Sequence, residues 1–273
     1  MSFQSSLSGI NVASERLDVI GVNVANAQTV GFKETSAKFA DIIAGRTGSR
    51  QVGTGALSMT LNQHFAQGDI HTSGNEFDVA INGKGFFQVQ EADGTLAYTR
   101  NGQFHTNKDN YLVTPEGDKV MGTNGPIQID VVKYGNTVSI SADGKIQASD
   151  GVTRGPDKVV PDPNNIGFGK TITVPGDLVY KDIAALQLHD FRNHDGMVAV
   201  GANKWKETNA SGAHVLGAPG TSNFGLIQAG AVEQSNADLN TNLVNMIVAQ
   251  REYQGNAQAL KIQNEMDLNL IRR

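Results

Sequence analysis

"FQSSLSGINVASERLDVIGVNVANA", residues 3–27, decides the architecture. Phe3, Ile10, Leu17 and Val24 recur at seven-residue intervals, and Ser6, Ala13, Ile20 and Ala27 follow each by three. That is the a/d pattern of a helix with a narrow apolar stripe, small residues standing at d and Leu7 on the flank. A helix over this stretch is roughly 36 Å long at 1.5 Å per residue. Gly31, followed by Phe32 and Lys33, supplies its stop.

The far end repeats the theme. Leu239, Leu243, Met246, Gln250, Tyr253, Ala257, Leu260 and Asn264 alternate spacings of four and three. Asp238 is placed to cap the helix, and Arg272 and Arg273 suit the negative end of its dipole. Two readings stand side by side: a pair of amphipathic helices packed on the rest of the chain, or two ends that pair with each other and with neighbouring copies as a coiled coil. The matched width of the stripes and their lack of proline favour the second. Isolated helices are marginal in water, so ordering is expected to come with association.

All seven prolines fall between the ends, in a glycine-rich stretch that reads as strands and turns. Asn82-Gly83, Asp93-Gly94, Asn101-Gly102, Asp143-Gly144, Asp150-Gly151 and Asp195-Gly196 are hairpin-turn dipeptides, with alternating or β-branched runs around them. The fold class expected is α+β: long terminal helices forming a coiled-coil-like inner domain (1–32 and 236–273) and a central antiparallel β-rich body (33–235). Residues 153–177 form a proline-rich loop or small excursion. "NGKGFF" (82–87) does not open a phosphate loop, because Gln88 stands where a third glycine belongs.

Composition removes several functions. No cysteine is present, which excludes disulfides and thiolate chemistry, and a net charge of −5 without a basic cluster argues against nucleic acid. No run approaches the ~18 apolar residues of a membrane span, and "MSFQSSLSGI" lacks the basic flank of a cleaved signal peptide. Six histidines occur, none in a recognised ligand spacing; "HDFRNHD" (189–195) reads as a solvated loop before it reads as a metal site. No G-x-S-x-G elbow appears, and Glu91/Asp93 and Glu116/Asp118 sit at turns. Trp205, which would stack on a sugar in a carbohydrate-binding or hydrolytic β protein, reads first as core. No catalytic residue, metal ligand or cofactor is expected.

The two ends resemble the bacterial flagellar hook and rod axial proteins, hook-type subunits above all. "ANAQTVGFK" carries the family's signature at Ala25, Asn26, Thr29, Gly31, Phe32 and Lys33, and "LVNMIVAQR" (243–251) is similar to its terminal helix. "YTRNGQF" (98–104), "YLVTPEGDKVMG" (111–122) and "LQLHDFRNHDGMVAVGANKW" (186–205) resemble its β segments. The resemblance implies a tubular helical polymer around an export channel, helices inside and β bodies outside. The implied partners are copies of this chain, other axial proteins (rod, hook, junction, cap) and the export apparatus. Location in the flagellum and export without a cleaved signal follow from it too. The large outer domain usual in hook subunits has little room in 273 residues. Rod subunits have about this length and stand as the alternative. The assembly residues expected are Phe3, Leu7, Ile10, Ala13, Leu17, Ile20 and Val24 with Leu239, Leu243, Met246, Tyr253, Ala257 and Leu260. The loop at 164–170 is the expected intersubunit contact of the body.

Overall fold

A computed structural model describes residues 3–47, 50–130, 138–149, 158–161, 171–174, 180–221 and 223–271. The protein is α+β and divides into two compact units, Met1–Asp69 with Gln234–Arg273, and Ile70–Glu233.

The first unit holds α1 (Phe3–Ala25), α2 (Leu239–Ile271) and a hairpin of β1 (Thr35–Thr47) and β2 (Arg50–Gln63). Helix α1 ends two residues before the end of its apolar pattern. Asn26 closes the last turn on the Val22 carbonyl at 3.1 Å, and Gly31 then takes φ +72°, a region open to glycine at no steric cost. Helix α2 begins where its cap predicts. Asp238 accepts from the Asn240 and Thr241 amides at 3.2 and 3.1 Å, satisfying two of the helix's orphan donors. Arg272 and Arg273 lie outside the described residues.

The helical unit runs to Asp69 rather than stopping at residue 32. The cause is the hairpin: β1 and β2 pair with each other from Thr35↔Gln63 to Thr47↔Arg50, and both contact α1. Apolar alternation identifies a strand, but it does not say which domain the strand joins.

The second unit is a β body. Its strands are β3 (Ile70–Thr72), β4 (Val79–Asn82), β5 (Phe86–Gln90), β6 (Leu96–Thr99), β7 (His105–Thr106), β8 (Leu112–Val113), β9 (Lys119–Gly122), β10 (Gly125–Pro126), β11 (Val138–Ile140), β12 (Lys145–Ala148), β13 (Lys158–Pro161) and β14 (Thr171–Val174). They continue with β15 (Lys181–Ala185), β16 (Leu188–Asp190), β17 (Val198–Gly201), β18 (Lys204–Lys206), β19 (Val215–Gly217), β20 (Leu226–Ala229) and β21 (Ala231–Glu233). Every named pairing is antiparallel. The largest sheet runs β17-β18-β6-β5 and then forks to β9-β8-β7 and to β16-β19. One face of it carries Phe87, Val89 and Leu188, which join Ile140 and Ile146 of the β11-β12-β15 sheet in the main core. The other face carries Phe86, Tyr98, His189 and Trp205.

Two of the expected turns are hairpins. Gly94 (φ +87°) turns β5 into β6, and Gly144 (φ +79°) turns β11 into β12. Three others are not. Asn82-Gly83 joins β4, paired with β20, to β5 in a different sheet, and a Cβ on Gly83 would come 2.7 Å from the Gly225 Cα. Gly102 is needed for close approach, since a Cβ there would overlap the Val79 carbonyl. Asp195-Gly196 lies in a 3-10 turn, His194–Gly196. Asp150-Gly151 lies outside the described residues, as does the loop at 164–170. Of the excursion at 153–177, β13 and β14 are described and pair with each other.

Candidate functional site

Helices α1 and α2 lie against one another. Ser6, Ala13 and Ile20 are buried on α1, Asn242 and Ala249 on α2, and Asn256 is half-buried. Three contacts fix the direction: Gly9 faces Asn256, Arg16 bonds Glu252 at 3.1 Å, and Asn23 bonds Asn242 at 3.4 Å. As the number rises on α1 it falls on α2, so the pair is antiparallel. A Cβ on Gly9 would stand 2.7 Å from the Asn256 amide, so this glycine lets the helices close.

The seam is small and polar rather than apolar. Of the residues expected to pair the helices, Ala13 and Ile20 occupy it. Ile10, Leu17 and Val24 are half-buried, Leu7 is exposed, and the Phe3 side chain is outside the described residues. On α2 the expected stripe is turned away: Leu239, Leu243 and Tyr253 are exposed, and Met246, Ala257 and Leu260 half-buried. At 100° per residue the stripe on each helix lies about 20–120° round from its seam in the same rotational sense. Because the helices are antiparallel, that sense leads to the same side of the pair. Ile10 and Leu17 therefore share one apolar face with Leu243, Met246 and Tyr253. A second exposed row on α2, Val244, Val248, Ile262 and Met266, lies on the opposite side of the pair and outside the four-and-three spacing of the stripe. Its signal was the run "LVNMIV" (243–248), apolar on both sides of a helix.

The signature residues beyond α1 form a clasp. Thr29 donates to the Asn26 side chain at 3.2 Å, and Asn26 to the Val22 carbonyl at 2.8 Å. Phe32 is buried, and the buried Lys33 ammonium reaches the Ala66 carbonyl at 2.7 Å. Asn236 accepts from the Glu34 amide at 2.7 Å and donates to the carbonyls of His64 and Ala66 at 2.7 and 3.0 Å. Asn23 both donates to and accepts from the Thr35 backbone, at 2.8 and 3.0 Å. Asn242 donates to Glu34 at 3.1 Å. Amides thus tie the end of α1, the start of β1, the end of β2 and the start of α2. Asn23, Asn236 and Asn242 were not singled out in the sequence, where asparagine is common at both ends.

The side chains weighed for chemistry are packed or paired within the β body. Trp205 is 2 % exposed, packed edge-on against Phe86. His189 is buried beside Tyr98 and His214, and burial, with the His214 charge, pushes its pKa down to about 4. His214 meets Glu207 at 2.8 Å, and His194 meets Asp190 at 2.7 Å. Glu91 pairs with Lys206 and Lys204, which hold its pKa down at about 2, and Asp118 takes Lys204 at 2.6 Å. Among the described residues no group of three or more His, Asp or Glu is placed to hold a metal ion, and no helix is long and apolar enough to cross a membrane.

Three family models match the chain: a flagella basal body rod protein model over residues 3–33, the flagellar hook protein FlgE/F/G D1 domain over 80–148, and the flagellar basal body rod FlgEFG protein C-terminal model over 228–273. The chain is 32 % identical to the flagellar basal-body rod protein FlgG of Bacillus subtilis, over 99 % of this chain and 97 % of that protein. It is 34 % identical to FlgG of Buchnera aphidicola subsp. Baizongia pistaciae over 94 % of each. It is 28 % identical to the flagellar hook protein FlgE of Escherichia coli over 99 % of each. The FlgG alignment from Bacillus spans 284 positions against a chain of 273, and the FlgE alignment spans 405.

Proposed function

The chain belongs to the flagellar hook and basal-body rod protein family, and we propose that it is a hook-type subunit that polymerises into a tube through its terminal helices. The observation that carries this is the apolar face shared by α1 and α2. Within one copy the helices meet mainly through small and polar residues, with Ile20 among them, while Leu239, Leu243 and Tyr253 stay exposed beside them. Burying an apolar side chain of this size is worth about 1.5–3 kcal/mol when fully exposed at the start, less here because these are partly covered. Several such residues on a 33-residue helix supply the driving force for neighbours to add.

In this reading the helix pairs stack into the coiled-coil-like inner wall, the β bodies make lateral contacts, and polar faces rich in Asn, Gln and Ser line a wet channel. The tube transmits motor torque and encloses the path of exported chains. Its neighbours are copies of itself and the adjoining axial proteins, and it reaches its place through the flagellar export apparatus.

A rod subunit is the second reading, and a specific observation favours it. At least 405 − 273 = 132 positions of the hook alignment have no counterpart here, whereas the FlgG alignment needs only 284. The hook reading rests on the terminal segments. Locating the protein in isolated hook–basal bodies separates the two: labelling of the curved external segment supports the hook, and labelling confined to the straight shaft overturns it. The polymer itself is tested by concentrating the full chain. Tubes in negative-stain images are expected; a monodisperse monomer at every concentration defeats the proposal.

A further inference from the structure

The largest sheet of the β body has two unguarded edges. Among the described residues, strand β17 pairs only with β18, and β19 only with β16. Among the described residues no backbone hydrogen bond reaches the outer side of either. Both are apolar and exposed: Val198 and Val215 are 54 % and 57 % exposed, with Val200 and Leu216 beside them. Natural edges are blunted by lysine, proline or a covering element, and "VAVG" and "VLG" contain neither residue. Nothing within the described chain accounts for leaving two such edges open.

The edges are complementary. From β17 through β18, β6, β5 and β16 to β19 each pairing is antiparallel, so β17 and β19 run in opposite directions. A second copy, translated without rotation, would set its β17 antiparallel to the first copy's β19, continuing the ladder. A contact between two different edges does not close on itself, and repeats into an open series.

Charge fits the same arrangement. Beside β19 lies a groove of ≈ 930 Å³ lined by Lys84, Arg192, Val215, Phe224 and Leu226. Lys84 and Arg192 are exposed. Asp195, exposed and just before β17, would arrive at the end of β19. There the loop following that strand bonds Lys84, Gly225 donating to its carbonyl at 2.9 Å.

We propose that β17 of one copy adds to the free edge of β19 on the next, so that a single sheet runs from subunit to subunit. The contact is between copies of this chain, and it rests on the axial-subunit proposal above. Main-chain hydrogen bonds would give it strength, and Asp195 with Lys84 would set direction.

The absence of cysteine makes the test clean. Full-length chains carrying Val198→Cys are mixed with tagged full-length chains carrying Val215→Cys, assembled and oxidised. The two positions share a sheet face, so a disulfide is within reach if the edges meet. Heterodimers in several-fold excess over both homodimers are expected, and a double variant should give a ladder of covalent multimers. Tubes with no heterodimer overturn the edge contact and leave the axial assignment standing. Heterodimers without tubes support the contact and count against the tube. Neither product defeats both.

Discussion

Asn23 donates its side-chain amide to Asn242 at 3.4 Å, and both residues are buried although 219 positions separate them. Asn23 also bonds the Thr35 backbone in both directions. Asn23→Ala leaves several polar groups unpaired inside the unit, a loss of about 2 kcal/mol. Hydrogen exchange should show faster exchange in the first turns of α2 and at Thr35, with the β body unchanged. Unaltered protection at both places would mean the clasp is dispensable.

Arg100 and Glu233 form an ion pair at 3.1 Å with side chains 5 % and 0 % exposed. The guanidinium also donates to the Gly83 carbonyl at 2.8 Å and lies over the Phe86 ring. Burial lowers the Arg100 pKa, and Glu233 acts against that shift. Glu233→Gln strands a buried cation and should cost about 3–5 kcal/mol in denaturant unfolding of the body. The double variant Arg100→Met with Glu233→Gln is expected to recover part of that loss.

Acid sensitivity between pH 6.5 and 4 traces to His189. Its folded pKa, about 4, lies below the ordinary 6.5, so the unfolded chain binds the extra proton in that window. Stability is complete above pH 6.5 and falls as pH drops toward 4, by up to about 3 kcal/mol. Tyr98 and His214 face the ring, and neither offers its Nδ1 a hydrogen bond. His189→Phe should flatten the dependence over this range. The fluorescence of Trp205, the sole tryptophan, is the readout. Glu91 adds a separate loss lower down, as pH falls from 4.5 toward 2.

Leu243→Asp and Leu17→Asp should abolish polymer while the β body melts as before. Leu243 is exposed in the single copy, so its variant should also keep the helices paired. Ala249→Leu acts differently: it overfills a site that is 0 % exposed and should separate α1 from α2, costing about 1–3 kcal/mol. Sedimentation and far-ultraviolet circular dichroism distinguish the outcomes. Tubes of normal length from Leu243→Asp chains would count against the apolar face.

The turn from β17 to β18 holds Ala202 and Asn203 at φ +50° and +54°. Left-handed backbone costs alanine roughly 1 kcal/mol that glycine does not bear. Ala202→Gly should therefore raise body stability by a few tenths to about 1 kcal/mol. A lower melting temperature would show that side-chain contacts outweigh the strain.

Much of this architecture was legible before any coordinates. Helix α2 starts beside Asp238 because a capping side chain is a local device, readable from its neighbours. Which helical face meets α1 was not legible. The apolar periodicity of α2 found Leu239, Leu243 and Tyr253, but Asn242 and Ala249 are the buried residues. Periodicity reports the face that water must not touch, without saying what covers it. Under the proposed assembly, the cover lies on other copies. The clasp was hidden for another reason: one asparagine looks like the next until distant segments are brought together. Likewise Gly83 was read as a hairpin turn from its dipeptide, though its role is to let two strands' ends pass closely.

The helical unit draws on both extremities of the polypeptide, while the β body comes from one uninterrupted span. The body has all its strands long before the last turns of α2 exist, whether the chain is emerging from a ribosome or threading through a pore. The helical unit must wait for Gln234–Arg273 to arrive. Under the assembly proposed above, chain order alone leaves the helical pair incomplete until that segment has arrived, which postpones self-association.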